Sequence, residues 1–494
     1  MIKPTLEEAK GLLAGGEYKR IPLCRQIPAD FTTPIEVMRI LKRASRHCFL
    51  LESVEDSRQY GRYTFLGYEP TLEITCIDHR LVIKDEKGNI LKDEQAVHPG
   101  EHIRQILKDN KSLHIEGMPS FTGGLVGYFS YDYIKYAEPT LVLSARDEEN
   151  FKDMDLMLFD KVIAFDNLMQ KIIVIVNADA ENIEGDYERA AADIEAVLEL
   201  IKNGEKAEIE PLKLKTEFEP LFNEKQYCSM VERAKEYIYE GDIFQVVLSN
   251  RMMAHIEGSL FDAYRNLRML NPSPYMFYFS SDDVEIAGAS PETLVKLENG
   301  VLHTFPLAGT RPRGNSEKED RELEEDLLSD EKELSEHNML VDLGRNDIGR
   351  ISRIGSVEVE KYMEIERYSH VMHIGSTVKG IIDDKKDAVD AVDSILPAGT
   401  LSGAPKLRAC QIINELEDNK RGIYGGAIGY IDLTGNLDTC IAIRLVFAKN
   451  GKAFIRSGAG IVADSVPKNE YRECINKAKA VVLAVTQAQG GLEV

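Results

Sequence analysis

Three groups of residues in this sequence have types and spacing that suit chemistry. The first is a glutamine inside an apolar run. Residues 241–251 read GDIFQVVLSNR, where Ile243, Phe244, Val246, Val247 and Leu248 suit a buried strand. The Gln245 amide needs partners there, because leaving it unpaired costs about 1–3 kcal/mol. Neighbouring backbone meets that need, and so would a small polar guest in a pocket. The second group is two Glu-x-x-Glu pairs, Glu333 with Glu336 and Glu470 with Glu473. Residues at i and i+3 share a helix face. Four such carboxylates suit a hard divalent cation such as Mg²⁺, which keeps some of its water and binds an anionic substrate as well. The chain has 83 acidic residues, so spacing alone favours solvated pairs. The third group is SGAGIVAD (457–464), where Gly458 and Gly460 make either a tight turn or an opening through which backbone N–H groups meet a carboxylate.

Other glycine-rich stretches fail their tests. GGLVGYF (123–129) and GGAIGY (425–430) lack the G-x-G-x-x-G order of a dinucleotide site. GTLSGAPK (399–406) lacks phosphate-loop spacing, since Ala404–Pro405 intervene before Lys406.

These groups need elements to hold them. Periodicity predicts helices over 4–16, 37–43, 184–204, 224–241, 316–347 (with one break) and 468–487. Strands are expected at 48–54, 62–68 and 72–78, in a hairpin over 80–92 and as two strands within 155–178. In the second half they are expected from Phe244 to Met252, at 275–280 and 284–290, through 292–309, and at 424–431, 439–448 and 452–457. Strands in hairpin-like series with helices between groups imply an α+β fold with large antiparallel sheets. The polar, unperiodic stretch 206–220 suggests a boundary between residues 1–215 and 216–494.

The chain of 494 residues is 43% hydrophobic and 29% charged, the composition of a soluble globular protein. A formal charge of −23 disfavours nucleic acid and anionic membranes as partners. The seven cysteines (Cys24, Cys48, Cys76, Cys228, Cys410, Cys440 and Cys474) are odd in number and form no C-x-x-C pair, so reduced thiols are expected. The first residues lack the order of a signal peptide, and no apolar run reaches the ~20 residues of a membrane span. A cytoplasmic protein is expected.

Several blocks together carry a family resemblance. PLAGTRPRG (306–314), EHNMLVDLGRND (336–347), PAGTLSGAPK (397–406), YGGAIGY (424–430), LDTCIAIR (437–444) and SGAGIVADSVPKNEYRECINKAKA (457–480) resemble the chorismate-utilising enzymes. LLESVE (50–55), RYTFLG (62–67) and GGLVGYFSYD (123–132) resemble the anthranilate synthase component I branch. The resemblance implies two large antiparallel sheets face to face with helices outside. It also implies conversion of chorismate and ammonia to anthranilate and pyruvate through an aminodeoxyisochorismate intermediate. Water-adding members resemble one another in having a lysine where this chain has Gln245, which suits a general base on water. Ammonia needs no such base. Aminodeoxychorismate synthases resemble PIKGT where this chain has Ala308, so their lysine nucleophile is missing.

Residue by residue, the resemblance implies Glu292 (in GASPETLV) as general acid and Thr400 as partner of the ring C4 hydroxyl. Glu336 and Glu473 would be Mg²⁺ ligands, with Glu333 and Glu470 supporting. Tyr424 and Arg444 would hold the side-chain carboxylate, completed by Gly458, Ala459, Gly460 and Lys477. His373 would serve the elimination or orient the substrate, with His370 and Thr377 as other candidate partners nearby. Leu50, Leu51, Glu52 and Ser53, facing Pro274, Tyr275 and Met276 with Ile428 and Tyr430 at the seam, match a tryptophan effector site. The absence of tryptophan from the chain suits an enzyme made when tryptophan is scarce. No G-x-C-x-G nucleophile is present, so ammonia is expected from a separate glutamine amidotransferase subunit, in a heterotetramer of two synthase and two glutaminase subunits. The rival readings are an aminodeoxychorismate synthase, a synthase that stops at the intermediate, a water-adding synthase, and a non-catalytic amino-acid sensor.

Overall fold

The computed structural model describes residues 1–53, 61–314, 316–367 and 371–492. Val54, Glu55 and His370 of the motifs above lie outside these. Among the described residues, the named strands form two sheets of thirteen and twelve strands, and their pairings are antiparallel. The sheets stack through a core to which both contribute. Phe49, Phe277, Phe447 and Phe454 of one meet Val126, Tyr128, Ile428 and Cys440 of the other. Helices cover the outer faces. Pro34–Ala44, Ile183–Asn203, Phe261–Leu270 and Pro467–Gln487 pack on the larger sheet. Gly100–Asp109, Glu331–Gly349 and Ala388–Ile395 pack on the other. This is the expected α+β arrangement of two large antiparallel sheets.

Strands from either side of residue 215 pair with each other in both sheets. Leu51 pairs with Phe277 and Gly127 with Gly429. The stretch 206–220 contributes two-residue strands, Lys213–Leu214 and Glu219–Pro220, to the edge of the long strand Gln245–Glu257.

Where the chain crosses between sheets, the expected elements divide. Residues 155–178 form three strands, not two: Met154–Phe159 in the smaller sheet, then Lys161–Asp166 and Lys171–Asp179 in the larger. The crossing takes the single residue Asp160, so apolar periodicity barely registers it. Residues 439–448 likewise split into Leu437–Ile441 and Leu445–Lys449, in different sheets. Arg444, at φ +53°, makes that turn. A third crossing joins Glu285–Ser290 to Thr293–Glu298. Glu292 and Arg444 therefore both sit where a strand leaves one sheet for the other. The expected long helix is broken at Asp330, whose carboxylate caps Glu331–Gly349 by accepting from the Lys332 and Glu333 amides.

The seven cysteines are unpaired, six of them buried. Among the described residues no helix is long and apolar enough to cross a membrane.

Candidate active site

Glu292 occupies the crossing between the strands Glu285–Ser290 and Thr293–Glu298. Its amide donates to Ser290 Oγ (3.3 Å), and its carbonyl accepts from the Ile441 amide (2.9 Å). Its carboxylate accepts a hydrogen bond from Thr400 Oγ1 (3.0 Å), which stands on the tight turn Gly399–Leu401. Both residues line a narrow cavity of about 50 Å³ together with Thr304, Pro306, Leu340 and Asp347. Burial pushes the Glu292 carboxyl up to about 7, against the opposing pull of Thr400 and Lys477. A carboxylic acid still protonated near neutrality can give its proton to a leaving oxygen. A general acid acts in its protonated form, so if Glu292 fills that role kcat/KM for the free enzyme, at constant un-ionised nucleophile, is expected to fall as pH rises through about 7. A pH–rate profile in Glu292→Asp with its falling limb unmoved would contradict that assignment.

Gln245 opens the long strand and is buried, with its Oε1 unpartnered among the described residues. The backbone does not satisfy it, so the amide oxygen is available to a guest. Phe244, read as part of the same buried run, is instead 76% exposed. Beside Gln245 runs Lys452–Ile461, with Val247 paired to Gly460 and Ser249 to Gly458. Gly458 and Gly460 face the site and Ala459 the opposite core. A Cβ on Gly458 would lie 3.2 Å from Tyr424 Oη, and one on Gly460 2.7 Å from Gln245 Nε2. The glycines thus keep the backbone bare between the two side chains. Gly460→Ala displaces the Gln245 amide and, with ammonia as the nucleophile the resemblance implies, is expected to raise its KM about tenfold with little change in thermal stability. An unchanged ammonia KM would refute this role.

Arg421, absent from the sequence analysis, ties these walls together. It is buried against Glu417 and donates to the carbonyls of Leu401 (2.6 Å) and Val247 (2.7 Å). It thereby links the Thr400 turn to the Gln245 strand. Lys406 was read only as a failed phosphate loop. It donates to both carboxylate oxygens of Asp347 (2.9 Å each) and to the Ile395 carbonyl (2.8 Å). Neither residue has a periodic signal; their hydrogen bonds to distant stretches of chain reveal them.

The four glutamates come from two helices, Glu333 and Glu336 from one, Glu470 and Glu473 from the last. Burial raises the Glu336 carboxyl, and Glu333 and Glu473 raise it further. Burial and Glu473 raise Glu470. Hard oxygen donors that repel one another fit a divalent cation. Lys477 pairs with Glu473 (2.7 Å), and Arg311 lies 3.7 Å from Glu333. The converging set of possible ligand atoms among the described residues is instead His47, Glu73 and Asp282, within 4.8 Å. Lys84 and Lys152 already pair with Glu73 there. An open cleft of about 410 Å³ borders Glu473 and is lined also by Arg444, Asn469, Arg472, Asn476 and Lys477. Three cationic and two amide side chains beside the Glu473 carboxylate suit an anionic ligand next to a cation.

A family profile described as chorismate binding enzyme matches residues 46–483. The chain belongs to the chorismate-binding enzyme family. It is 46% identical to anthranilate synthase component 1 of Acetivibrio thermocellus over 99% of each chain. The crystal structure of anthranilate synthase component I from Streptococcus pneumoniae superposes with a TM-score of 0.76 at 40% identity, covering 92% of this chain and 99% of that one. The menaquinone-specific isochorismate synthase of Escherichia coli shares the fold at 19% identity, with a TM-score of 0.69 over 97% and 98%.

The remaining residues expected from the family fall as follows. Arg444 donates to the Lys477 carbonyl (2.6 Å), and Lys477 Nζ to the Gly458 carbonyl (3.2 Å). Together they carry the anion cleft to the glycine strand. His373 Nδ1 donates to the Gly309 carbonyl (2.8 Å), since that oxygen can only accept. Burial lowers its pKa, outweighing the Gly309 bond. A Cβ on Gly309 would lie 3.3 Å from Glu333, which places His373 on the carboxylate side of the site.

The expected effector residues divide between two sheet faces, because neighbours on a strand point oppositely. Leu51, Tyr275, Ile428 and Tyr430 face the core between the sheets, where the Tyr430 and Phe121 rings lie 4.5 Å apart. Glu52 and its strand partner Met276 face outward. The Glu52 carboxylate already accepts from Arg268 (2.5 and 3.0 Å) and from Tyr264. Ser53 Oγ is buried and unpartnered among the described residues, and Pro274 precedes the strand of Tyr275.

Proposed function

We propose that this protein is the synthase component of an anthranilate synthase, converting chorismate and ammonia to anthranilate, pyruvate and water. The observation that carries this reading is the buried, unpartnered Gln245 oxygen beside the bare Gly458–Gly460 backbone. That oxygen accepts an N–H of incoming ammonia and orients its lone pair toward the ring, while the amide itself cannot take a proton from water.

Glu292 donates its proton to the departing C4 hydroxyl, which Thr400 holds. Arg444 pairs with the side-chain carboxylate through its planar fork, aided by Tyr424, Lys477 and the amides of Gly458, Ala459 and Gly460. Glu336 and Glu473, supported by Glu333 and Glu470, would hold Mg²⁺, which when bound offsets the charge of the ring carboxylate. His373 serves the elimination of pyruvate or orients the ring for it. In this reading tryptophan binds at the seam between the sheets against Leu51, Tyr275, Ile428 and Tyr430, beside Ser53 and Pro274, and feeds back on the reaction, while Glu52 and Met276 of the expected set lie on the outer face of the same sheet. Ammonia comes from a glutamine amidotransferase partner. The name of the similar proteins, anthranilate synthase component 1, supports the existence of a second component.

The test is turnover of chorismate by the purified chain with Mg²⁺ and ammonium, with and without tryptophan. Equal amounts of a fluorescent aromatic amine and pyruvate, suppressed by tryptophan, support the reading. A non-aromatic amino product, or no turnover at high ammonium, overturns it.

A further inference from the structure

We infer that Tyr275 is a positioning residue for the Glu292 acid, acting through Thr293 at the point where the two sheets exchange a strand. The inference rests on the role proposed above for Glu292.

The Tyr275 hydroxyl lies 2.8 Å from Asp438 Oδ1 and 3.0 Å from Thr293 Oγ1. Asp438 belongs to the smaller sheet and Tyr275 to the larger, so the phenol bridges them. Burial and Asp438 raise the Tyr275 pKa well above its ordinary value, so the phenol keeps its proton. Its single O–H is given to the Asp438 carboxylate, so the Thr293 hydroxyl must donate to Tyr275. Thr293 is thereby fixed in rotamer and position, and it is the residue after Glu292.

The backbone at this point needs fixing. The pairing of Thr293–Glu298 with Leu437–Ile441 slips between Thr293 and Val295, an irregularity that bends a strand and re-aims its side chains. On the other side of Glu292, Ser290 is the strand partner of Tyr275, and its Oγ donates to the Ile441 carbonyl (2.7 Å) and accepts from the Glu292 amide. Tyr275 thus grips both flanks of the acid: Ser290 through strand pairing and Thr293 through its hydroxyl. The charged groups facing this region are Lys477 from the last helix, Asp347 with its partner Lys406 across the cavity, and Asp438 with Lys296 and Glu298 behind the phenol. Tyr275→Phe leaves each of these and the ring packing in place. It removes only the hydroxyl.

Without that hydroxyl the Thr293 bulge relaxes and the Glu292 carboxyl reaches more solvent. The test is Tyr275→Phe, with Thr293→Val as a second variant. It is read by steady-state kinetics across pH and by the carboxyl carbon resonance of ¹³C-labelled glutamate, assigned as the signal missing in Glu292→Gln. The expected result is a kcat about tenfold lower with chorismate KM unchanged. The falling limb of the pH profile and the resonance midpoint should both move down by about one pH unit, because a better-solvated carboxyl loses its proton sooner. A resonance midpoint unmoved in both variants overturns the inference. The resonance titrates whether or not the protein turns over chorismate. A wild-type chain without turnover therefore counts against the proposed reaction, while a shifted midpoint still supports Tyr275 as the residue that positions this carboxyl.

Discussion

Glu292→Gln is expected to lower kcat for anthranilate formation by about 10²–10⁴-fold, the usual contribution of a positioned general acid. The amide keeps the size of the side chain and still accepts from Thr400, so the cavity and its lining remain. What it loses is the transferable proton. In the proposed reaction chorismate is held by Arg444, Lys477 and the carboxylate helices, whose side chains this change leaves in place, so KM should stay within about threefold. The falling pH limb near 7 should vanish with the group that causes it. Equal loss in kcat and kcat/KM marks an interaction made only in the transition state. A variant retaining most of its kcat would remove Glu292 from the chemistry and leave its raised pKa as a consequence of burial alone.

Glu336→Gln is expected to lower kcat/KM by about two to three orders of magnitude, the rate equivalent of several kcal/mol of charge neutralisation. Glu336 is raised by burial and by its neighbours Glu333 and Glu473, so a cation there relieves repulsion as well as binding substrate. Protons compete for the same oxygens. Mg²⁺ affinity should therefore fall as pH drops through the raised carboxyl values of Glu336 and Glu470, and rise again when they ionise. Calorimetry of Mg²⁺ binding reads this without turnover. Affinity equal in wild type and Glu336→Gln would take the metal away from this helix face.

Only part of the candidate site was legible from local rules. A glutamine in an apolar run and glycines flanking a small residue stand out without tertiary information, whereas the glutamate pairs read alone as solvated carboxylates and Glu292, Thr400, Arg444 and His373 came from the family resemblance. The structure gave the anomaly at Gln245 its content, an amide oxygen left unpartnered. The fold class was legible for a similar reason, since hairpin-like strand series imply antiparallel sheets. The places where strands change sheet were not. Asp160 and the Ala442–Arg444 turn interrupt apolar runs by one to three residues, too few for a period-2 pattern to register. The paired strands Glu358–Arg367 and Val371–Ile381 went unread because the first is mostly exposed and polar. The ties made by Arg421 and Lys406 span distant stretches of chain, and no local pattern encodes them. The effector motif shows the same limit. Leu51 and Glu52 are adjacent in sequence yet face opposite sides of a sheet, with Glu52 turned to Arg268 and Tyr264.

In the proposed reaction the group attacking the ring is ammonia held at Gln245. The most direct measurement is isotope tracing: turnover of chorismate in ¹⁵N-ammonium and ¹⁸O-water, with mass analysis of the ring product. The expected product carries one ¹⁵N on an aromatic ring and no ¹⁸O. A product carrying ¹⁸O and no ¹⁵N would make the chain a water-adding enzyme and contradict the role given to Gln245.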